Sequence, residues 1–276
     1  MKRLIAAAAL LALPFSAGAQ SFVVAGRASA GAEFKIAKGL ELSFEEEVRS
    51  ADSFSALGSL RHDLSFSYKP VKFLKVGLGY TMINPWKVEK ELSNGVPFTG
   101  FWDPKHRLHA DISGVVRLGD WQLSLKERFQ MTYNADPDMN INQNPRTAIA
   151  LKSKATVKYR GIKHFEPYLS GEVRTFLNGA WGSTSGAAQT TEKTKKVFFD
   201  YTPEGYTHIY NNRYRAELGA EIRLAKHHYL TPYLLMDFCS DYEIDTNKEG
   251  TRLFVATTGW EDVLRLSPGI SYVYKF

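Results

Sequence analysis

The densest set of chemically capable residues in this sequence is a series of acids and bases at every second position. Arg213, Arg215, Glu217, Glu221 and Arg223 form one run, Arg107, His109, Asp111 and Arg117 another, and Glu45, Glu47 and Arg49 a third. Arg61, Asp63, Lys75, Lys126, Arg128, Lys152, Lys154, Glu172, Arg174 and Asp237 keep the same parity in their own segments. Side chains of this kind on one face can fill an interior with ion pairs, or they can form a constriction or site for a small anionic solute. Arginine outnumbers lysine in the set, which suits fixed bidentate pairing with carboxylates. His109 beside Asp111 has the make-up of a general base. A packed, hydrogen-bonded histidine is the plainer expectation.

Three further candidates carry weaker chemistry. Asn134, Asp136, Asp138, Asn140 and Asn142 place oxygen ligands at alternate positions, as a calcium loop does. Ile141 and Thr147 stand where the glycine and the terminal bidentate Glu belong, so a polar solvated loop is expected and no metal is assigned. Cys239, the single cysteine, shares parity with Asp237 and reads as a small packed side chain. Ser93 precedes Asn94-Gly95, a sharp-turn dipeptide, in a long connection rather than on a strand. No catalytic residue and no cofactor is assigned.

The elements that carry these residues are strands. In 107–118, Leu108, Ala110, Ile112, Gly114, Val116 and Leu118 alternate with the charged set. Tyr214, Ala216, Leu218, Ala220, Ile222 and Leu224 do so in 213–224. Period two with one apolar and one ionic face is the mark of a two-faced strand. Similar segments lie near 30–37, 40–50, 59–69, 73–83, 121–133, 146–160, 166–177, 229–242 and 263–276. Short turns at 38–39, 69–72, 119–120, 161–165 and 225–228 alternate with long loops at about 51–58, 84–104, 134–145, 178–210 and 243–261. That asymmetry predicts an all-β fold: a transmembrane antiparallel up-and-down β-barrel, with turns periplasmic and loops outside. Eleven strands are clear. An even count is the bacterial habit, so 21–28 is expected to rise from the periplasm as the twelfth, with ten strands the alternative.

Export is read from the first residues. Lys2 and Arg3, an apolar run from Leu4 to about Phe15, and Ala17-Gly18-Ala19 compose a cleavable signal peptide over 1–19. The run falls short of the roughly 20 residues a membrane helix needs. Residues 20–276 are expected to form a single domain. Residues 1–19 hold no acid, so removing them lowers the formal charge from +6 to +4. The basic residues are spread along the chain, so nucleic acid is not an expected partner. A soluble lipocalin-like barrel would also alternate, but with its apolar face inward, and a secreted β-sandwich would have shorter strands and more even loops. Tyr68, Trp121, Tyr159, Tyr272 and Tyr274 near one rim, with Tyr133 and Tyr242 near the other, fit aromatic girdles at lipid headgroups.

The last strand carries Leu264, Leu266, Ile270, Tyr272, Tyr274 and Phe276 on one face. It resembles the signal read by the barrel-assembly machinery of Gram-negative bacteria, which implies that machinery as a partner during insertion. Leu40-Glu41-Leu42-Ser43-Phe44-Glu45-Glu46-Glu47-Val48-Arg49, Leu78-Gly79-Tyr80, His106-Arg107-Leu108, Lys126-Glu127-Arg128-Phe129-Gln130, Glu166-Pro167-Tyr168 with Glu172, and the tail Ser271-Tyr272-Val273-Tyr274-Lys275-Phe276 resemble an uncharacterised family of outer-membrane barrels classed as a domain of unknown function. The resemblance implies the fold and the outer-membrane location, and no activity. Leu92-Ser93-Asn94-Gly95 is similar to the second half of an outer-membrane phospholipase run, yet Glu91 occupies the place of its histidine. The expected role is therefore a structural or weakly conducting barrel with a charged lumen, contacting outer-membrane lipid and open to a small solute. A lipid- or envelope-modifying enzyme is the alternative.

Overall fold

β-branched and aromatic residues at every second position favour pleated strands, and glycine at the reversals folds successive strands back as hairpins. A computed structural model of the chain describes residues 21–87, 101–134, 145–190, 197–249 and 252–276. Within them lie β1 (Ser21–Val24), β2 (Arg27–Ala37), β3 (Leu40–Ser50), β4 (Leu57–Val71), β5 (Leu74–Lys87), β6 (Phe101–Trp102) and β7 (Lys105–Leu118). They continue with β8 (Trp121–Asn134), β9 (Thr147–Tyr159), β10 (Phe165–Thr190), β11 (Val197–Arg223), β12 (His228–Glu249) and β13 (Arg252–Lys275).

From β2 to β13 each strand pairs antiparallel with the next, with β6 only lengthening the tip of β5. β13 then returns to pair with β2, Gly269 opposite Arg27 through Lys275 opposite Glu33, and the barrel closes with eleven strands. An antiparallel meander of odd number must close with a parallel first-to-last pair, and this seam is parallel. Two-residue reversals at 38–39 and 119–120 use Gly39 at φ 79° and Gly119 at φ 59°, backbone that L side chains rarely adopt.

The up-and-down barrel expected from the alternation is the fold found, with eleven strands in place of the expected twelve or ten, and two further details differ. Residues 21–24 do form a further strand, but not one that rises against β2. Val24 faces Leu266 and Arg27 faces Gly269, so β1 continues β2 in the same direction and register along β13. Ala25-Gly26 holds too few residues to reverse the chain. The backbone merely breaks there, with Gly26 N–H donating to Ser50 Oγ at 2.7 Å. The second difference concerns 178–210 and 243–261, expected as loops. Much of both is strand: β10 and β11 are 26 and 27 residues long, and β12 and β13 are 22 and 24. Backbone pairing of Phe199 with Val255 ties the two extended hairpins together. The signal peptide, Ser93 to Gly95 and the calcium-like positions 136 to 142 lie outside the described residues.

The faces are those of an inverted barrel. Leu78 and Leu108 are 67% and 61% exposed on the outside, whereas Asp237 and Ser267 are 1% and 0% exposed within. A soluble lipocalin-like barrel requires the opposite. Two of the carboxylates on the outer apolar face have close partners: Glu46 pairs with His62, and Glu127 accepts from Ser153 Oγ at 2.6 Å.

Candidate functional site: the charged lumen

Because side chains alternate across each strand, every inward position of eleven strands converges on one narrow lumen. Asp237 on β12 is its best-buried charge. It meets Arg215 at 3.1 Å and Arg213 at 3.3 Å from β11, and Arg27 at 3.6 Å from β2 across the seam. Arg215 also reaches Glu172 on β10 at 3.1 Å, and Glu172 holds Lys152 on β9 at 3.0 Å. One chain of charges thus runs from β2 round to β9. Opposite signs alternate along it, which is what keeps buried ions tolerable.

A second group sits on β7 and β8. Arg128 donates to both oxygens of Asp111, at 2.6 and 2.7 Å, and Lys126 reaches Asp111 at 2.7 Å. Nearer the short-turn rim, Glu217 takes Lys154 at 3.6 Å and the Tyr168 hydroxyl at 2.8 Å, while Lys158 lies between Glu221 and Glu166 at 3.4 and 3.5 Å. At the same rim Glu41 holds Lys69 and Lys75. Arg49 pairs with Glu47 on its own strand.

Of the residues singled out from sequence, Asp111, Arg128, Glu172, Arg213, Arg215, Glu217 and Glu221 stand in ion pairs. Arg223 does not join them. It donates at the rim to the carbonyls of Ala225 and Lys226, closing the 224–227 turn. Arg107 and Arg174 point into the lumen, but their Nε atoms donate to neutral partners, Thr132 Oγ1 at 2.9 Å and Asn212 Oδ1 at 2.7 Å. Arg27 and Arg265 were missed. Both continue the alternation of recognised strands, Arg27 two residues before Ser29 and Arg265 two before Ser267. Arg265 reaches Asp52 at 3.4 Å.

His109 is buried against Gly79, and neither ring nitrogen has a hydrogen-bond partner among the described residues, unlike the bonded histidine expected. A Cβ at position 79 would collide with His109 Nε2, so the glycine is what admits the ring. Cys239 is buried as expected, its sulfur accepting from Arg213 Nε at 3.2 Å. Among the described residues no group of three His, Cys, Asp or Glu side chains is placed to hold a metal.

Three of the spaces left around the arginines are bordered by Arg107. A central cavity of about 400 Å³ is lined by Arg61, Arg107 and Arg174 with five other bases and three carboxylates. Two more of about 380 Å³ each lie toward the long-loop rim, and Arg107 borders all three. At that rim Trp181, His208, Tyr210, Tyr242 and Trp260 form a ring cluster with centroids 4.5 to 5.3 Å apart between successive members. Tyr242 therefore joins the mouth and lines the adjoining cavity instead of standing in an outer girdle. Tyr68, Trp121 and Tyr133 are exposed outside as expected, with Trp121 against Tyr159 at 4.9 Å. The C-terminal residues lie at the seam, where Phe276 stacks on Phe34 of β2 at 4.3 Å and Tyr274 meets Phe276 at 4.5 Å. Tyr272 hydrogen-bonds His228 at 2.6 Å.

No curated protein matches the chain. A family model described as "Protein of unknown function (DUF2490)" matches residues 28–190, from β2 to the end of β10. That is more than half of the chain, which belongs to this family of uncharacterised proteins.

Proposed function

We propose that this protein is an outer-membrane β-barrel of a Gram-negative bacterium, exported by residues 1–19 and inserted by the barrel-assembly machinery. Its lumen is a charge-filled, weakly conducting path. The observation that carries this reading is the inversion of faces: large apolar side chains outward, ions inward. Lipid accepts that outer surface, whereas Arg or Lys on it at mid-bilayer would cost about 2–4 kcal/mol. A closed barrel also leaves no unpaired sheet edge in hydrocarbon. Ion pairs between residues of five strands, from β2 round to β9, narrow the lumen, and so favour low conductance.

The test is fractionation of the native host followed by reconstitution. The protein should sediment with outer membranes and migrate faster on gels when unheated. In planar bilayers it should pass small, sparse currents, and a deletion strain should keep its envelope lipid profile. Recovery as a soluble periplasmic protein would refute the membrane placement. A changed lipid profile would replace the passive role with the enzymatic one.

A further inference from the structure

Three guanidiniums on three separate walls of the barrel have no carboxylate within ion-pair distance among the described residues. Arg61 on β4, Arg107 on β7 and Arg174 on β10 all face the central cavity, and none forms an ion pair among the described residues. Arg61 Nε is buried with no hydrogen-bond partner there. Eight bases and three carboxylates line the space. Asp111, Glu172 and Asp237 hold several of those bases together with Lys126 and Arg27, and Asn212 bridges Arg174 to Asp241, so counting these six charges as well brings the balance to ten against seven. Of the lining carboxylates, Glu47 is taken by Arg49, and Thr81 donates to Asp63 at 2.6 Å. Glu45 and Asp63 face each other across β3 and β4, and neither makes an ion pair among the described residues.

A buried surplus of positive charge is unfavourable unless an anion completes it. Guanidinium presents a planar fork of donors that matches phosphate and carboxylate oxygens, and several forks around one space favour a multivalent ion over chloride. A cavity of about 400 Å³ is within the roughly 300–1,000 Å³ of small-molecule sites. We propose that the central cavity binds a small multivalent oxyanion of the phosphate class, held by Arg61, Arg107 and Arg174. This rests on the closed lumen and not on the membrane placement, so the two can fail separately.

The test uses the full mature chain refolded in detergent micelles, with heat-modifiable migration as the check of folding. Isothermal titration with inorganic phosphate, at ionic strength fixed by sodium chloride, should give saturable one-to-one binding. Thermal unfolding should shift upward with phosphate, because a ligand bound to the native state alone stabilises it. Arg107→Ala and Arg174→Gln, made separately, should each weaken binding about tenfold or more, the effect of losing a hydrogen bond to a charged group. Lys72→Gln, exposed in a rim turn, should bind as wild type does. Wild-type protein that shows neither a phosphate-specific heat nor a shift in unfolding overturns the proposal, whatever the variants do. Chloride reproducing the whole stabilisation also overturns it, as does undiminished binding by the folded arginine variants.

Discussion

Replacing Asp237 by Asn keeps the shape of the most deeply buried charge and deletes only its ionisation. The carboxylate is 1% exposed and has three guanidiniums at 3.1, 3.3 and 3.6 Å. After the change Arg215 retains Glu172 at 3.1 Å, and Arg213 retains the Cys239 sulfur at 3.2 Å. Neither Arg213 nor Arg27, 8% exposed, has another ion pair among the described residues, and Arg27 also lacks a hydrogen bond such as Arg213 keeps, so the penalty falls mainly on Arg27. Removing one partner of a buried pair costs about 3–5 kcal/mol, because the other is left as an uncompensated charge. With Arg215 still ion-paired and Arg213 still hydrogen-bonded, the lower end applies. We expect a loss of about 3 kcal/mol, roughly a hundredfold in the folding equilibrium. Reversible urea unfolding in lipid vesicles, followed by tryptophan fluorescence, measures it. Adding Arg27→Met to Asp237→Asn should restore a large part of the loss, since the orphaned cation is gone. A cost below about 1 kcal/mol, the value of an exposed pair, would show that water screens the lumen. Failure of Arg27→Met to rescue would refute the assignment of the penalty to Arg27.

Three other outcomes are expected from the same vesicle assay. Leu218→Arg puts a cation on the outer face of β11 between Leu169 and Leu234 and should cost roughly 2–4 kcal/mol; a cost within 0.5 kcal/mol would mean that this face does not meet lipid. The double change Glu127→Leu with Ser153→Val removes both members of an outward hydrogen bond at once, so stability should hold or rise, and a clear loss would argue that the pair is needed. Phe276→Ala deletes the ring stacked on Phe34 at the seam; beyond its lost buried area it should cost about 0.5–1.5 kcal/mol, and pairing it with Phe34→Ala in a double-mutant cycle isolates that contribution. Additive single effects in the cycle would show that the stack contributes nothing.

Alternation at period two, read along the chain, was enough to determine which side chains face in and which face out along the barrel wall, though not for Tyr242 at the mouth. A one-residue slip would exchange the faces, and so Leu218 and Arg215, or Leu108 and Arg107, could be assigned without coordinates. The short reversals were equally legible, because Gly39 and Gly119 supply backbone that few other residues adopt. What remained hidden depends on which strands become neighbours. Arg27 and Asp237 meet only because β13 closes against β2, and local spacing carries no trace of that seam. The same closure makes the strand count odd, and it turns residues 21–24 into a continuation of β2. Polar, glycine-rich stretches such as 178–186 weaken the alternation, so only cross-strand pairing could extend β10 and β11 through them. The unmatched arginines were visible as residues but not as unmatched ones. A guanidinium is free or paired according to what stands on the facing wall, and that was decided by the closed barrel alone.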